Sequence, residues 1–150
     1  MEISNSFVVD HSPDGVWDFA RRPAGMGRAA SPMIQFEAVD PGSFPDRWQN
    51  GSYIFDMRLL GAVPLGRYRT TMSIDDDPGP PFRLVDDGSI GPISTWRHEI
   101  VIADAGMGTA RWTDRIVIDA GTLTPIVATL GRLFLILRSY RLRQLLSGLE

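Results

Sequence analysis

The chain has 150 residues, of which 43% are hydrophobic and 22% charged, and its 15 basic residues are all arginine. With neither lysine nor cysteine, it has no disulfides, thiolate metal sites, cysteine nucleophiles or lysine Schiff-base chemistry. A net charge of −3 offers no basic excess for nucleic acid. The longest unbroken run of large apolar residues, Leu133 to Leu137, is far shorter than the roughly 20 residues of a membrane span. We therefore expect a single cytoplasmic domain over residues 1–150, without a signal peptide and without a nucleic-acid partner.

The first 32 residues predict one strand followed by two short helices. Glu2 to Val9 is rich in strand-forming residues. Ser12 and Pro13 then favour a helix start, because serine caps a helix and proline fits its first turn. This helix should end before Pro23, since the residue that precedes a proline is disfavoured in helical geometry. Gly25 to Ala30 predicts a second short helix.

Between residues 33 and 119 the apolar residues recur with period two, which predicts about six further strands. Turn-forming segments rich in proline, glycine and aspartate separate them, and Ala105-Gly106-Met107-Gly108 predicts a hairpin between the last two. The strands are expected near Ile34 to Ala38, Tyr53 to Leu59, Leu65 to Ile74, from Phe82 onward, Ile93 to Asp104 and Thr109 to Asp119.

After Gly121 the apolar period changes to 3.6, which predicts one long helix that runs to about Leu146. An antiparallel sheet that is apolar on one face must cover that face, and no other element is long enough to do so. The predicted fold is therefore α+β: a curved antiparallel sheet of six to seven strands wrapped around the long C-terminal helix, with two short helices after the first strand.

Two polar residues are in phase with the apolar face of the last hairpin. His98 alternates with Trp96 and Ile100, and Asp114 alternates with Trp112. A hairpin loop at residues 105–107 places His98 directly opposite Asp114, with β-carbons about 4.5–5.5 Å apart. A register two residues different makes them diagonal neighbours. Such a pair could serve as a general acid or base, anchor a ligand, or only satisfy its own hydrogen bonds inside the protein.

Several short motifs occur along the chain: Pro13-x-x-Val16-Trp17-x-Phe19, Arg22-Pro23 with Ser31-Pro32, Gly91-Pro92-x-x-x-Trp96-Arg97-His98, Gly106-x-Gly108-Thr109-x-x-x-x-Asp114-Arg115 and Tyr140-Arg141-x-x-Gln144-Leu145. These motifs, together with the order of elements, resemble the START-like superfamily, also called SRPBCC or helix-grip. More narrowly, the chain resembles its bacterial members of the polyketide cyclase/dehydrase-like and coenzyme Q-binding-protein-like kinds.

The resemblance implies a cavity between the sheet and the C-terminal helix for an apolar small molecule such as a lipid, a quinone or a polyketide. Some members of the superfamily catalyse cyclisation or dehydration of polyketides, and many only bind or carry a ligand. The inward positions of the strands and the apolar positions of the helix supply the expected lining: Tyr53, Phe55, Met57, Tyr68, Thr70, Met72, Trp96, Trp112, Ile126, Leu130 and Phe134.

Three functions follow from these observations. Binding or carriage of a hydrophobic small molecule is favoured, because aromatic residues are plentiful on the inward face and polar groups are few. A polyketide cyclase or dehydratase that uses His98 and Asp114 is the first alternative. A lipid or quinone chaperone that docks at a membrane is the second. No histidine spacing matches a metal-ligand set, so neither metal nor cofactor is expected.

The long helix is apolar on all sides around Leu133 to Leu137, so one side remains when the other covers the sheet. Packing on the first strand, a homodimer contact and a transient membrane contact are all open uses of that second side. Arg138, Arg141 and Arg143 follow, as contacts with anionic lipid or a solvated helix end would require.

Overall fold

The computed structural model describes residues 1–148. Seven strands form one antiparallel sheet in the order β1-β7-β6-β5-β4-β3-β2. The predicted fold class and the two short helices after the first strand are confirmed. The elements in chain order are β1 (Glu2–Val9), α1 (Pro13–Ala20), α2 (Pro23–Ala30), β2 (Ile34–Asp40), β3 (Gly51–Leu59), β4 (Val63–Asp75), β5 (Phe82–Ile90), β6 (Ile93–Gly106), β7 (Thr109–Asp119), a 3₁₀ turn (Gly121–Leu123) and α3 (Thr124–Ser147).

The inner face of the sheet, which we define as the face that packs against the three helices, follows the predicted alternation. In β7 every second residue from Ala110 to Ile118 is buried, with Asp114 among them. The ring of Trp17 from α1 stacks on Phe82 of β5, with 5.2 Å between the ring centroids. Apolar burial of this extent provides the main favourable free energy of folding, so a charged residue on this face must be compensated.

Helix α3 packs mainly against β1 at one end of the sheet. Its buried residues are Ala128, Gly131, Leu135, Arg138, Leu142 and Leu146, spaced three or four apart. Two of them are small, and a β-carbon at Gly131 would lie 2.9 Å from the side chain of Ile3. Close approach of α3 to β1 therefore requires the small residues to face the sheet.

That choice of helix face overturns part of the predicted ligand lining. Ile126 and Leu130 are each 61% exposed and point away from the sheet. Their size and hydropathy predict an inward position, but in this part of the helix the buried positions are those of Ala128 and Gly131. By length and composition alone, Gly121–Ser147, with a mean hydropathy of 1.3, would suffice to cross a membrane. In this fold one of its faces is part of the core.

Gly88 in β5 allows Tyr68 to lie flat across the sheet. Gly88 is paired with Thr70 of β4, and Tyr68 is two residues away on the same face. A β-carbon at Gly88 would overlap the ring and hydroxyl of Tyr68 and would lie 2.9 Å from the carbonyl oxygen of Arg69. The absence of a side chain at Gly88 thus determines where the Tyr68 hydroxyl lies.

Gly88→Ala is expected to lower the free energy of unfolding by about 1–3 kcal/mol, because the added carbon overpacks against Tyr68 and the backbone. Gly42→Ala is the matched control, since a β-carbon at Gly42 meets nothing within 4 Å. The control should change the free energy by no more than about 0.5 kcal/mol. Urea unfolding followed by tryptophan fluorescence measures both. Equal stability of the two variants would contradict the packing of Tyr68 on Gly88.

Candidate functional site

The centre of the candidate site is the carboxylate of Asp114, which is completely buried on the inner face of β7. It accepts hydrogen bonds from three side chains. Nε2 of His98 lies 2.7 Å from Oδ1, and Nε1 of Trp112 lies 3.0 Å from Oδ2. The guanidinium of Arg138, which is also buried, donates to Oδ1. One carboxylate therefore joins β6, β7 and α3.

The predicted contact between His98 and Asp114 is present, but the predicted register of the hairpin is wrong by two residues. His98 is paired with Ile116, so that Asp114 is its diagonal neighbour on the same face. The hairpin turn is tighter than expected and consists of Met107 and Gly108, which both have positive φ. A two-residue turn of this kind suits the twist of a hairpin. A positive φ at methionine could not be inferred from its residue type.

The charge of Asp114 is balanced by Arg138. Burial alone would raise the pKa of Asp114, but the neighbouring Arg138 and the hydrogen bond from His98 outweigh it and hold this pKa well below its usual range. Asp114 is therefore an ionised acceptor, so Nε2 of His98 carries the proton that it donates. In neutral His98 the other nitrogen, Nδ1, then has a free lone pair.

His98 is not completely buried, since 10% of its side chain is accessible. Within residues 1–148 its Nδ1 makes no hydrogen bond, and Nε of Arg138 is buried without a partner. The site thus has one unused acceptor and one unused donor, held in place by the same carboxylate.

A second carboxyl group lies beside His98. Asp86 of β5 is paired with His98 across the sheet, and its Oδ1 accepts hydrogen bonds from Tyr68 Oη, at 2.7 Å, and from Thr70 Oγ1. Burial raises the pKa of Asp86 despite these two donors. Burial, followed by the charge of Asp86, also raises the pKa of the Tyr68 hydroxyl far above its ordinary value. Asp86 and Asp114 are therefore shifted in opposite directions on either side of one histidine.

The predicted lining residues have three different environments. Met57, Trp96 and Phe134 are half-buried, and Ile126 and Leu130 are exposed. The buried members are Tyr53, Phe55, Tyr68, Thr70, Met72 and Trp112.

The buried aromatic residues largely satisfy one another. Phe55 contacts Phe44 of the β2–β3 connection, with ring centroids 5.7 Å apart. The hydroxyl of Tyr53 accepts a hydrogen bond from the backbone N–H of Gln49 at 3.2 Å, and the hydroxyl of Tyr68 donates to Asp86. These two hydroxyls therefore need no ligand. The half-buried residues remain as those that a ligand could reach.

Two depressions in the described part of the chain lie on the opposite, outer face of the sheet. One, of about 250 Å³, is lined by residues 52–54, 69–71 and Asp87. The other, of about 420 Å³, is lined by residues 35–37 together with Asp56, Arg58 and Gly61. Neither depression is bounded by α3 or by His98.

Sequence reasoning missed two members of the site. Asp86 is in phase with Phe82 and Leu84 of β5, which was a usable pattern. Arg138 is three residues after Leu135 and four before Leu142 on the buried face of α3. Its assignment to a solvated helix end or to lipid contact is wrong, because it is only 4% exposed and pairs with Asp114.

Comparison with known proteins identifies the fold. No protein-family model matches the sequence, and no curated protein does either. Among solved structures, the chain is similar to a START superfamily protein from Mycobacterium smegmatis, with TM-score 0.69 and 10% identity over 99% of both chains. It is also similar to an AHSA1 protein from Silicibacter pomeroyi, with TM-score 0.66 and 10% identity over 98% of both chains.

A third similar structure is the di-domain ARO/CYC BexL from the BE-7585A biosynthetic pathway, with TM-score 0.67 and 13% identity. The alignment covers 99% of this chain and 48% of BexL. The architecture is that of a small α+β protein in which a sheet holds a long helix. It is the START-like, helix-grip fold, and the predicted resemblance is confirmed at the level of the fold.

Asp114→Asn should lower the free energy of unfolding at pH 7 by about 3–5 kcal/mol, because Arg138 is then buried without a counter-charge. The double variant Asp114→Asn/Arg138→Met should recover much of this loss. Asp87→Asn, which removes an exposed partner of Arg97, is the control and should be nearly neutral.

Because the pKa of Asp114 is lowered in the folded protein, the contribution of Asp114 to stability is complete above the pKa that this residue has in the unfolded chain and is lost in acid. Denaturant unfolding at several pH values measures the free energy of unfolding of each variant. Equal effects of Asp114→Asn and Asp87→Asn would contradict a stabilising role of the buried Asp114–Arg138 pair.

Asp86→Asn should have the opposite effect on the free energy of unfolding at neutral pH. The amide oxygen still accepts from Tyr68 and Thr70, but the charge is gone. Since the pKa of Asp86 is raised in the folded protein, its ionisation opposes folding at neutral pH, and this cost disappears in acid. The variant should be at least as stable as the parent at pH 7 and should lose any advantage as the pH falls toward about 4. A variant that is less stable only at neutral pH would contradict the environment described for Asp86.

Proposed function

We propose that the protein binds or carries a hydrophobic small molecule between the inner face of the sheet and α3, with a polar group of the ligand against His98. The observation that carries this proposal is the state of His98, whose Nε2 is held by Asp114 while Nδ1 has no partner among the described residues. Since 10% of the His98 side chain is accessible, a polar group of a ligand could reach it.

The residues around His98 suit an apolar ligand body. Trp96 is two residues away on the same face of β6 and is half-buried. Phe134 of α3 is also half-buried, and its ring lies 5.6 Å from the guanidinium carbon of Arg138. We therefore propose that the ligand enters from this side of α3. The similarity to START and ARO/CYC structures supports such a role for the fold.

The polar part of the ligand follows from the unused groups. In neutral His98, Nδ1 is an acceptor to which a hydroxyl group can donate a hydrogen bond. The charges of Asp114 and Arg138 already compensate each other, so the site favours a neutral ligand over an ionised one. An alcohol or phenol attached to an apolar skeleton is the ligand class that these residues fit best.

A cyclase- or dehydratase-like enzyme is the second candidate, and one observation favours it. The pKa values of Asp86 and Asp114 move in opposite directions on either side of His98, as in sites where one carboxyl group carries a proton and another stays ionised. His98 would then remove a proton from the bound molecule through Nδ1. Exchange of a ligand C–H for deuterium, lost in His98→Gln while binding remains, distinguishes this candidate from simple binding.

The binding proposal is tested with two ligands that differ by one hydroxyl, 1-naphthol and 1-methylnaphthalene. We expect the parent protein to prefer 1-naphthol by about 2- to 10-fold, the usual contribution of one net hydrogen bond. His98→Leu should remove this preference and still bind 1-methylnaphthalene. Arg97→Leu, on the outer face of the same strand, is the matched control and should keep the preference. Fluorescence titration of the three proteins with the two ligands measures all six affinities.

Two results would contradict the proposal. One is the absence of saturable binding of any apolar probe to the folded parent protein. The other is a preference for the hydroxyl that survives in His98→Leu, since the hydroxyl would then be recognised elsewhere. Circular dichroism of each variant establishes that a lost preference is not lost folding.

A further inference from the structure

The face of α3 opposite its buried residues carries a continuous row of large apolar side chains. Most of them follow one another at intervals of three or four residues, so they form one stripe along the helix. A soluble domain seldom leaves such a patch uncovered. We call it the outer stripe, and its members, each 43–62% exposed, are Leu123, Ile126, Leu130, Leu133, Ile136, Leu137 and Tyr140.

The charge around the outer stripe differs from that of the rest of the chain. Residues 1–120 contain 11 arginines and 17 acidic residues, whereas residues 121–148 contain four arginines and no acidic residue. Arg138 is buried against Asp114, which leaves Arg132, Arg141 and Arg143 exposed. Of these, Arg143 has its guanidinium carbon 5.2 Å from the ring centroid of Phe7 in β1, on the side of the sheet. Among the described residues none of these three has an acidic partner. The helix therefore presents apolar residues flanked by uncompensated positive charge.

This charge distribution disfavours a second copy of the chain as the partner. Two copies of α3 packed stripe against stripe would bring their exposed arginines together, with no acidic residue on either helix to pair with them. An anionic lipid surface supplies a partner for both features of the helix: an apolar layer for the outer stripe and negative charge for the arginines. The net negative charge of residues 1–120 would also be repelled from such a surface, which orients the protein with α3 toward it.

We propose that the outer stripe of α3 docks the protein onto anionic membranes, with the helix lying in the plane of the headgroups. The helix does not cross the bilayer, because its other face is held on β1 by Gly131 and on β7 by the Arg138–Asp114 pair. This surface is separate from the ligand site at His98. The docking proposal therefore goes beyond the binding function proposed above and does not depend on it.

Co-sedimentation with vesicles tests the proposal. The protein should bind vesicles of phosphatidylcholine mixed with phosphatidylserine, bind phosphatidylcholine alone much more weakly, and lose binding as salt is added. Leu130→Glu/Leu133→Glu and Arg132→Gln/Arg141→Gln should each reduce binding to the mixed vesicles by about tenfold or more. Met107→Glu is the matched control, because Met107 is fully exposed at the tip of the β6–β7 hairpin and far from the stripe in sequence. It should bind like the parent.

The absence of cysteine allows a direct measure of which face meets the lipid. Leu133→Cys and Thr71→Cys, labelled with an environment-sensitive fluorophore, place the dye on α3 and on the outer face of the sheet. Only the dye at position 133 should shift to the blue when mixed vesicles are added. Both variants replace exposed residues, so the fold should be retained.

Three outcomes would overturn the proposal. The first is equal binding of neutral and anionic vesicles, and the second is unchanged binding of the Leu130→Glu/Leu133→Glu variant. The third is a dimer seen by sedimentation velocity without vesicles, abolished by the same double variant, in a protein that does not bind lipid. That last result would assign the outer stripe to a second copy of the chain.

Discussion

A buried carboxylate must have compensating charge, and Asp114 obtains it from helix α3. Its partners come from β6, from β7 and from α3, so three elements are held at one point. The requirement that Arg138 face Asp114 fixes the rotation of α3 about its own axis. Once that rotation is fixed, Gly131 must face Ile3, and the large apolar residues of the helix must face outward. The position of one negative charge thus decides which face of the longest helix is covered.

The same carboxylate gives the candidate site its chemical character. Arg138 compensates the charge of Asp114. The hydrogen bond to Asp114 orients the imidazole, and the pairing of β5 with β6 brings Asp86 alongside it. Tyr68 and Thr70 hold Asp86 in turn, and Tyr68 can do so because Gly88 leaves room for its ring. The polar groups of the site are therefore fixed by the sheet and by one helix residue before any ligand arrives.

Much of this arrangement follows from alternation along the strands, because a period of two assigns each residue to a face without knowledge of its partners. That is why the shared face of His98 and Asp114 could be predicted. Their register could not, since it depends on a positive φ at Met107 that no residue preference indicates. The prediction of the buried face of α3 was wrong for a different reason. Hydropathy favours large residues such as Ile126 and Leu130, while close packing on β1 selects small ones, and a buried arginine is predictable only when its partner is already known.

The sheet order also has a consequence for how the chain assembles. Within residues 1–148, strand β1 pairs only with β7, from Glu2 opposite Val117 to Val9 opposite Ala110. The first strand therefore has no partner strand until more than a hundred further residues have been synthesised. Contacts between residues so far apart in sequence are formed at a high cost in loop entropy, and domains dominated by them fold slowly. On the ribosome, β2 to β6 can pair as successive hairpins while the segment Glu2–Val9 is still without a strand partner. The edge of the growing sheet and this strand therefore stay exposed together until β7 is made, and exposed strand edges of this kind favour aggregation.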